Sequence, residues 1–273
     1  MKPPFAYYGG KTNIASRIVE LLPPHSHYVE AFAGSLAVLL AKPRARMETV
    51  NDLDGNLMHF WRILRDRPAD LQRVCTLTPH SRAEYAAAQD LDTADELERA
   101  RRVWVWLTQA RGSGMRATGW RQYMDPAGSS VSMPGYLAGY VARMFPTAER
   151  LTGVSLEALP ALDIIRRYGH SPDVLLYLDP PYLSSTRNSS KYRQEMGGEA
   201  DHRELAEAAR SCRASVVLSG YRSPLYDDLY GDWHRAEIST ATGQGGTWSA
   251  RTEVLWSNRP LARQGSLLDE VGA

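Results

Sequence analysis

The chain has 273 residues, 43% of them hydrophobic and 23% charged, with a net charge of +1. That composition suits one large folded α/β domain, or one domain carrying an insertion, and excludes a disordered, collagenous or coiled-coil chain. Near-neutral charge means that any nucleic-acid surface must be local. No apolar run approaches the ~20 residues of a membrane helix, and MKPPFAYYGGK lacks the apolar core of a signal peptide, so a cytoplasmic chain without membrane contact is expected. Cys75 and Cys212 stand apart without partner spacing, so neither a disulfide framework nor a metal site is expected.

In chain order, a helix is predicted over Thr12–Leu22, with Thr12 as N-cap and Pro23-Pro24 as its stop. His27–Ala33 and Thr49–Asp52 read as short strands, the opening of a parallel βαβ unit. From 54 to 153 strand signals nearly vanish. Asn56–Leu64, Ser81–Gln89 and Ala94–Ala110 read as helices, and a helical pattern resumes up to Met144 after the Gly- and Ser-rich stretch 111–135. Strands return with Asp173–Leu178, whose continuous apolar run fits a central parallel strand buried on both faces. The helix Asp201–Arg210 precedes a further strand, Val216–Ser219. His234–Ile238 and Thr252–Trp256 are the last strand candidates. The expected organisation is a sheet domain built from 1–53 and 154–260, a mainly helical insertion at 54–153, and a polar tail at 261–273.

Three stretches carry chemistry. Asp179-Pro180-Pro181-Tyr182 follows the DVLLYL strand, where open α/β sheets bind ligands. It offers a carboxylate, a stiff turn, a carbonyl acceptor before Pro181 and a flat ring, a set suited to a planar base bearing an amino group. A proline-rich turn that merely ends the strand is the plain alternative. Glu30, Phe32 and Gly34 lie in a strand-to-turn passage whose glycine lets a ligand approach the backbone, or serves the turn alone. Asp52 ends the next strand, where a carboxylate can hold ribose hydroxyls. Tyr7, Gly9, Gly10 and Lys11 precede Thr12. The GKT tripeptide is no phosphate loop, because Phe5 stands where its first glycine belongs and no strand precedes it. The glycine pair can instead bring backbone and Lys11 to a small anionic group such as a carboxylate.

Between 101 and 143 six arginines (101, 102, 111, 116, 121 and 143) face one acid, Asp125, a local balance of +5. Arg111, Arg116 and Arg121 with Trp120 and Tyr123 on a Gly-rich loop suit DNA contact through phosphates, base edges or an intercalating wedge. A solvated basic loop beside a core holding Trp104 and Trp106 is the alternative. The loop Ser184–Gly198, with Arg187, Lys191, Tyr192 and Arg193, either closes over a flipped base or is a surface loop. His202 reads as a surface or packing residue.

Taken together, the motifs resemble the DNA adenine methylase (Dam-like, D12 class) family of N6-adenine-specific DNA methyltransferases. The matching stretches run in family order: YYGGK, VEAFAGSLAV, NDLDGNL, DPPY, EADHRELA, VVLSGYRSPLYDDLY and TEVLW. Ala31 stands where the family has proline, and the second loop glycine is replaced around Ser35-Leu36. DPPY alone also fits N4-cytosine enzymes; its companions favour adenine. The resemblance implies a Rossmann-like sheet domain with a helical DNA-recognition insertion. It implies S-adenosylmethionine as methyl donor, and N6 of a flipped-out adenine in double-stranded DNA as acceptor, for a chain monomeric when free. Asp179, Pro180, Pro181 and Tyr182 would be catalytic. Tyr7, Gly9, Gly10, Lys11, Glu30, Phe32, Gly34, Asp52 and Asp179 would hold the cofactor. An N4-cytosine or RNA-base enzyme, and a non-catalytic DNA-binding protein with a degenerate cofactor pocket, are the competing readings.

Overall fold

A computed structural model describes residues 1–115, 118–122, 131–182, 198–244 and 247–262, with only the backbone of 240–251 considered. Its centre is one seven-stranded sheet. β1 (His27–Glu30), β2 (Met47–Asn51), β3 (Val154–Glu157), β4 (Val174–Leu178) and β5 (Ser215–Gly220) run parallel. β6 (His234–Gln244) and β7 (Thr247–Ser257) form an antiparallel hairpin, and β7 lies antiparallel to β5. The order is β3-β2-β1-β4-β5-β7-β6. Strand order therefore reverses direction between β1 and β4, the place where open α/β sheets leave a crevice for ligand.

Every residue of β4 and β5 falls in a buried position. Side chains alternate between the faces along each strand. Tyr28, Leu175, Tyr177, Val217 and Leu255 join one hydrophobic cluster; Val29, Leu176, Leu178, Val216, Leu218 and Val254 join the other. On the first face lie α1 (Ala15–Leu21) and α2 (Ala37–Ala41), then the helices between β2 and β3. Those are α3 (Gly55–Asp66), α4 (Pro68–Thr76), α5 (Arg82–Ala87), α6 (Glu96–Gln109), α7 (Met133–Val141) and α8 (Met144–Leu151). α9 (Ala161–Tyr168), α10 (Glu199–Arg210) and α11 (Pro224–Tyr230) cover the second face.

Several helix starts in the β2–β3 segment are set by side-chain caps. Asp54 accepts the N–H groups of Asn56 and Leu57, Ser81 those of Ala83 and Glu84, and Asp95 those of Leu97 and Glu98. The helices do not build a core of their own. Phe60, Trp61 and Trp104 pack into the same cluster as Phe5, Tyr28 and Tyr177, and Trp104 Nε1 donates to the Pro4 carbonyl at 3.0 Å.

Several boundaries differ from the sequence reading. α1 starts at Ala15 and has no side-chain cap, because Lys11–Ile14 form a turn closed by Ile14 N–H to the Lys11 carbonyl, 2.9 Å. Thr12 is therefore not its N-cap. β1 ends at Glu30, since the chain then bends so that Ala33 N–H reaches the Asn51 carbonyl. β6 and β7 run eleven residues each, extending their pairing well past β5. The short helices α2, α9 and α11 were not anticipated: each is brief, and its helical state is fixed by packing on the sheet rather than by sustained periodicity.

Candidate active site

A cavity of about 240 Å³ opens at the carboxyl ends of β1, β2 and β4, at the reversal of strand order. Tyr7, Gly9, Gly10, Lys11, Glu30, Phe32, Gly34, Asp52, Asp179 and Pro181 all line it, so residues from four separate motifs converge there. Pro180 and Tyr182 are buried and do not line it.

Its floor is made by two loops packed on each other. Gly34 has φ +47°, and a Cβ there would lie 3.1 Å from the Tyr7 ring. A Cβ on Gly10 would lie 3.0 Å from the Tyr7 carbonyl and 3.1 Å from Ser35 Oγ. Close packing thus favours glycine at both positions, at Gly34 against the other loop and at Gly10 against its own Tyr7 carbonyl as well as Ser35, a reason absent from the sequence reading. Leu36, near the missing second glycine, takes φ +58° with its side chain fully buried. Leucine rarely adopts that conformation.

Glu30, at the end of β1, is buried; its Oε2 accepts from Tyr28 Oη at 3.0 Å and from Leu39 N–H at 3.2 Å. Burial pushes its carboxyl up to about 8, against the pull of the Tyr28 bond. Asp52 receives Gly34 N–H on Oδ2 and Asp54 N–H on Oδ1, each at 2.9 Å. Burial pushes it up to about 6, those two bonds opposing. Asn51 is fully buried and ties the strand ends together. Its amide donates to the carbonyls of Ala31 and Leu159, and its oxygen accepts Leu159 N–H.

Asp179 sits in a charged cluster. Lys11 Nζ donates to both of its oxygens at 2.7 Å, to the Gly9 carbonyl at 3.0 Å and to Tyr182 Oη at 2.6 Å. Ser219 Oγ donates to Asp179 Oδ1 at 3.0 Å and is itself 3.0 Å from Tyr177 Oη. Burial alone lowers the Lys11 pKa, but Asp179 and Glu253 more than reverse this, so the lysine stays charged. Lys11 thus bonds Asp179 while it also lines the cavity, where the sequence reading set it beside a small anionic group. Tyr182 turns its hydroxyl into the same cluster, bonded to Glu253 at 3.1 Å, and its ring lies 4.5 Å from that of Tyr221. Sequence reasoning had valued Tyr182 for its flat face alone. It gave no role to Glu253 or Ser219, although a glutamate directly before the apolar run VLW of β7 was a visible signal.

The arginine-rich stretch is partly structural. Arg101 pairs with Glu84 and Glu98, Arg102 with Glu98, and Arg143 donates to the Pro3 carbonyl. Their charge is met by groups outside the window in which the balance was counted. Arg111 is exposed. Ala110 and Trp120 form an antiparallel bridge that holds the loop base. The Trp120 ring stacks on His80 at 4.4 Å and lies 4.8 Å from Arg82, while its Nε1 donates to Gln109 Oε1. Arg121 lies over the Tyr136 ring at 5.5 Å. Arg116 and Tyr123, and the loop residues Arg187, Lys191, Tyr192 and Arg193, lie outside the described residues. His202 is buried and bonds Tyr226 Oη through Nδ1 at 3.0 Å, a packing contact. Among the described residues no helix is long and apolar enough to cross a membrane, and no cluster of His, Cys, Asp or Glu could hold a metal ion.

A parallel sheet of this order, closed by an antiparallel hairpin and bearing its cavity at the β1/β4 reversal with DPPY at the rim, defines a Rossmann-like methyltransferase. The profile of the D12 class N6 adenine-specific DNA methyltransferase family matches residues 7–111 and 153–243. The chain belongs to that family, and it is an adenine-specific DNA methyltransferase. Along 94% of its length it is 26% identical to 95% of the Type II methyltransferase M1.LlaDCHI of Lactococcus lactis subsp. cremoris. Among solved structures, precorrin 8W decarboxylase of Methanobacterium thermoautotrophicum aligns with a TM-score of 0.38 at 10% identity, covering 94% of this chain and 98% of that one. A methyltransferase candidate of Streptococcus mutans in complex with SAH aligns at 0.34 and 8%, covering 89% and 96%. Alignments at such TM-scores add nothing to the fold described above.

Proposed function

We propose that the chain uses S-adenosylmethionine to methylate N6 of an adenine turned out of double-stranded DNA, with the β1/β4 cavity as its cofactor and catalytic site. The observation that carries this reading is the donor set. Among the described residues, Glu30, Asp52 and Asp179 line the cavity with one ammonium, Lys11, which is itself tied to Asp179. An acid as buried as Glu30, with its pKa raised, suits a ligand that brings positive charge. Asp52 keeps acceptor capacity for ribose hydroxyls after receiving two N–H groups. These groups fit an adenosyl sulfonium bearing an amino acid. Tyr7, Gly9, Gly10, Phe32 and Gly34 would shape the walls around it.

When bound, S-adenosylmethionine supplies an electrophilic methyl group. The chain's task is the amine. Its lone pair is delocalised into the purine, so it is a weak nucleophile. An N–H bond accepted by Asp179, and a second accepted by the Pro180 carbonyl, favour a pyramidal nitrogen with a localised lone pair. Pro181 stiffens the turn, and holding the reactants in line is a major part of the barrier reduction. A base inside a duplex must leave the stack, at a cost of roughly a few kcal/mol that contacts with DNA offset. We assign those contacts to the helical segment 54–153, through Arg111, Arg116, Arg121 and Tyr123. Trp120, stacked on His80, serves as the anchor of that loop. The chain is monomeric when free and works in the cytoplasm. Similarity to a Type II methyltransferase supports a restriction–modification setting.

The test is mass-spectrometric analysis of nucleosides from a duplex incubated with enzyme and labelled cofactor. N6-methyldeoxyadenosine is the expected product. N4-methyldeoxycytidine would reassign the acceptor. Cofactor binding by calorimetry without any product would make the chain a non-catalytic binder.

A further inference from the structure

Asp179 must accept a bond from the target amine, yet it is already heavily engaged. Oδ1 accepts from Lys11 and Ser219, and Oδ2 accepts from Lys11. The ammonium has three hydrogens for four acceptors, so one N–H is shared between the two Asp179 oxygens; with Ser219 added, Oδ1 is the more crowded oxygen and Oδ2 the more open. An ammonium at 2.7 Å also drains charge from the carboxylate that should polarise the amine. A second acid stands close to that lysine. Glu253 of β7 is 3% exposed, with Oε1 3.6 Å from Lys11 Nζ. The Tyr182 hydroxyl bridges the two, 2.6 Å from Nζ and 3.1 Å from Glu253 Oε1.

We propose that Glu253 is a positioning residue for methyl transfer: as the second counter-ion of Lys11, it draws the ammonium away from Asp179 and leaves that carboxylate free to accept the N6 amine. The inference rests on the assignment of Asp179 as the group that meets the amine. No bond is made or broken by Glu253; it acts through charge and through the Tyr182 bridge. The groups facing it are Lys11, Asp179 and the phenols of Tyr182, Tyr177 and Tyr226. Burial pushes the Glu253 carboxyl up to about 7, Lys11 opposing and Asp179 adding to the rise. Ionised Glu253 holds Lys11; protonated Glu253 lets it fall back on Asp179. Methyl transfer should therefore speed up as pH rises through about 7.

The experiment is single-turnover methylation of a substrate duplex, at saturating cofactor, across this pH range. Glu253→Gln should slow the step by about tenfold or more, with the affinities for cofactor and duplex held. The rise of rate with pH should vanish in that variant, and Glu253→Asp should restore part of both. A Glu253→Gln enzyme with wild-type rate and wild-type pH profile overturns the proposal. Should Glu253→Gln fail to fold by thermal melting, Tyr182→Phe cuts the same bridge and should weaken the same pH-dependent rise; an unchanged profile there is equally decisive. Asp179→Ala separates the two levels. If it stays active, the site assignment itself is wrong. If it is inactive while Glu253→Gln behaves as wild type, only the role of Glu253 fails.

Discussion

The ring of Tyr7 lies against Gly34, so that a single added methyl on the glycine would come within 3.1 Å of it. This contact joins the N-terminal YYGGK loop to the loop after β1, and both loops line the cavity. Gly34→Ala therefore meets two penalties, the crowded ring and a φ of +47°. Together they should cost about 1–3 kcal/mol of stability. Calorimetry should show weaker cofactor binding as well. A variant with unchanged melting temperature and affinity would mean that the loops do not depend on each other.

Asp52→Ala should weaken cofactor binding about tenfold or more, since hydrogen bonds to a charged acceptor are worth roughly 1.5–3 kcal/mol. Loss of the Gly34 and Asp54 N–H partners adds a structural cost. Asp52→Asn keeps an acceptor oxygen and should lose less. Equal affinity of wild type and Asp52→Ala would remove the ribose role.

Glu30 gives the ligand-free protein a distinct dependence on pH. Its folded pKa is raised to about 8, so its protonated form is favoured by folding. The contribution is full below the unfolded pKa and is lost as pH rises through the folded one. Melting temperature without cofactor should fall between about pH 5 and 8. Glu30→Gln should flatten that fall, by about 2–4 °C for each kcal/mol recovered. Cofactor affinity should move the other way, rising with pH in the wild type alone. A melting profile identical in the two proteins would show that Glu30 does not titrate in this window.

Replacing Arg111, Arg116 and Arg121 together with alanine should weaken DNA binding and leave cofactor binding intact. The log–log salt slope should flatten by up to about 0.9 for each lost phosphate contact. An arginine that reads a guanine edge would instead cost about 1–3 kcal/mol at its own base pair only. The measurement is duplex affinity against salt on several sequences. Parallel slopes at equal affinity would place the DNA face elsewhere on the protein.

The sequence by itself determined the family, the parallel-sheet frame and the positions that meet at the cavity. Asp179 and Asp52 were legible because each ends an apolar strand, and strand ends in such sheets converge at one edge. Within 54–153, the helices near 56–64, 81–89 and 94–110 were legible through periodicity, whereas α4 and α8 were not. Other features depended on contacts distant in sequence. Only the tertiary structure sets Lys11 on Asp179, 168 positions away, and brings Glu253 to the same lysine. Only packing decides that Gly10 and Gly34 serve each other's loops as well as a ligand. The arginine balance near 101–143 shows the same limit. Counted along the chain it is strongly positive, but Arg101 is neutralised by Glu84 and Glu98, which precede the counted window and are brought to it by α5 and α6. A charge acts through its neighbours in space, and those are fixed by the fold rather than by adjacency along the chain.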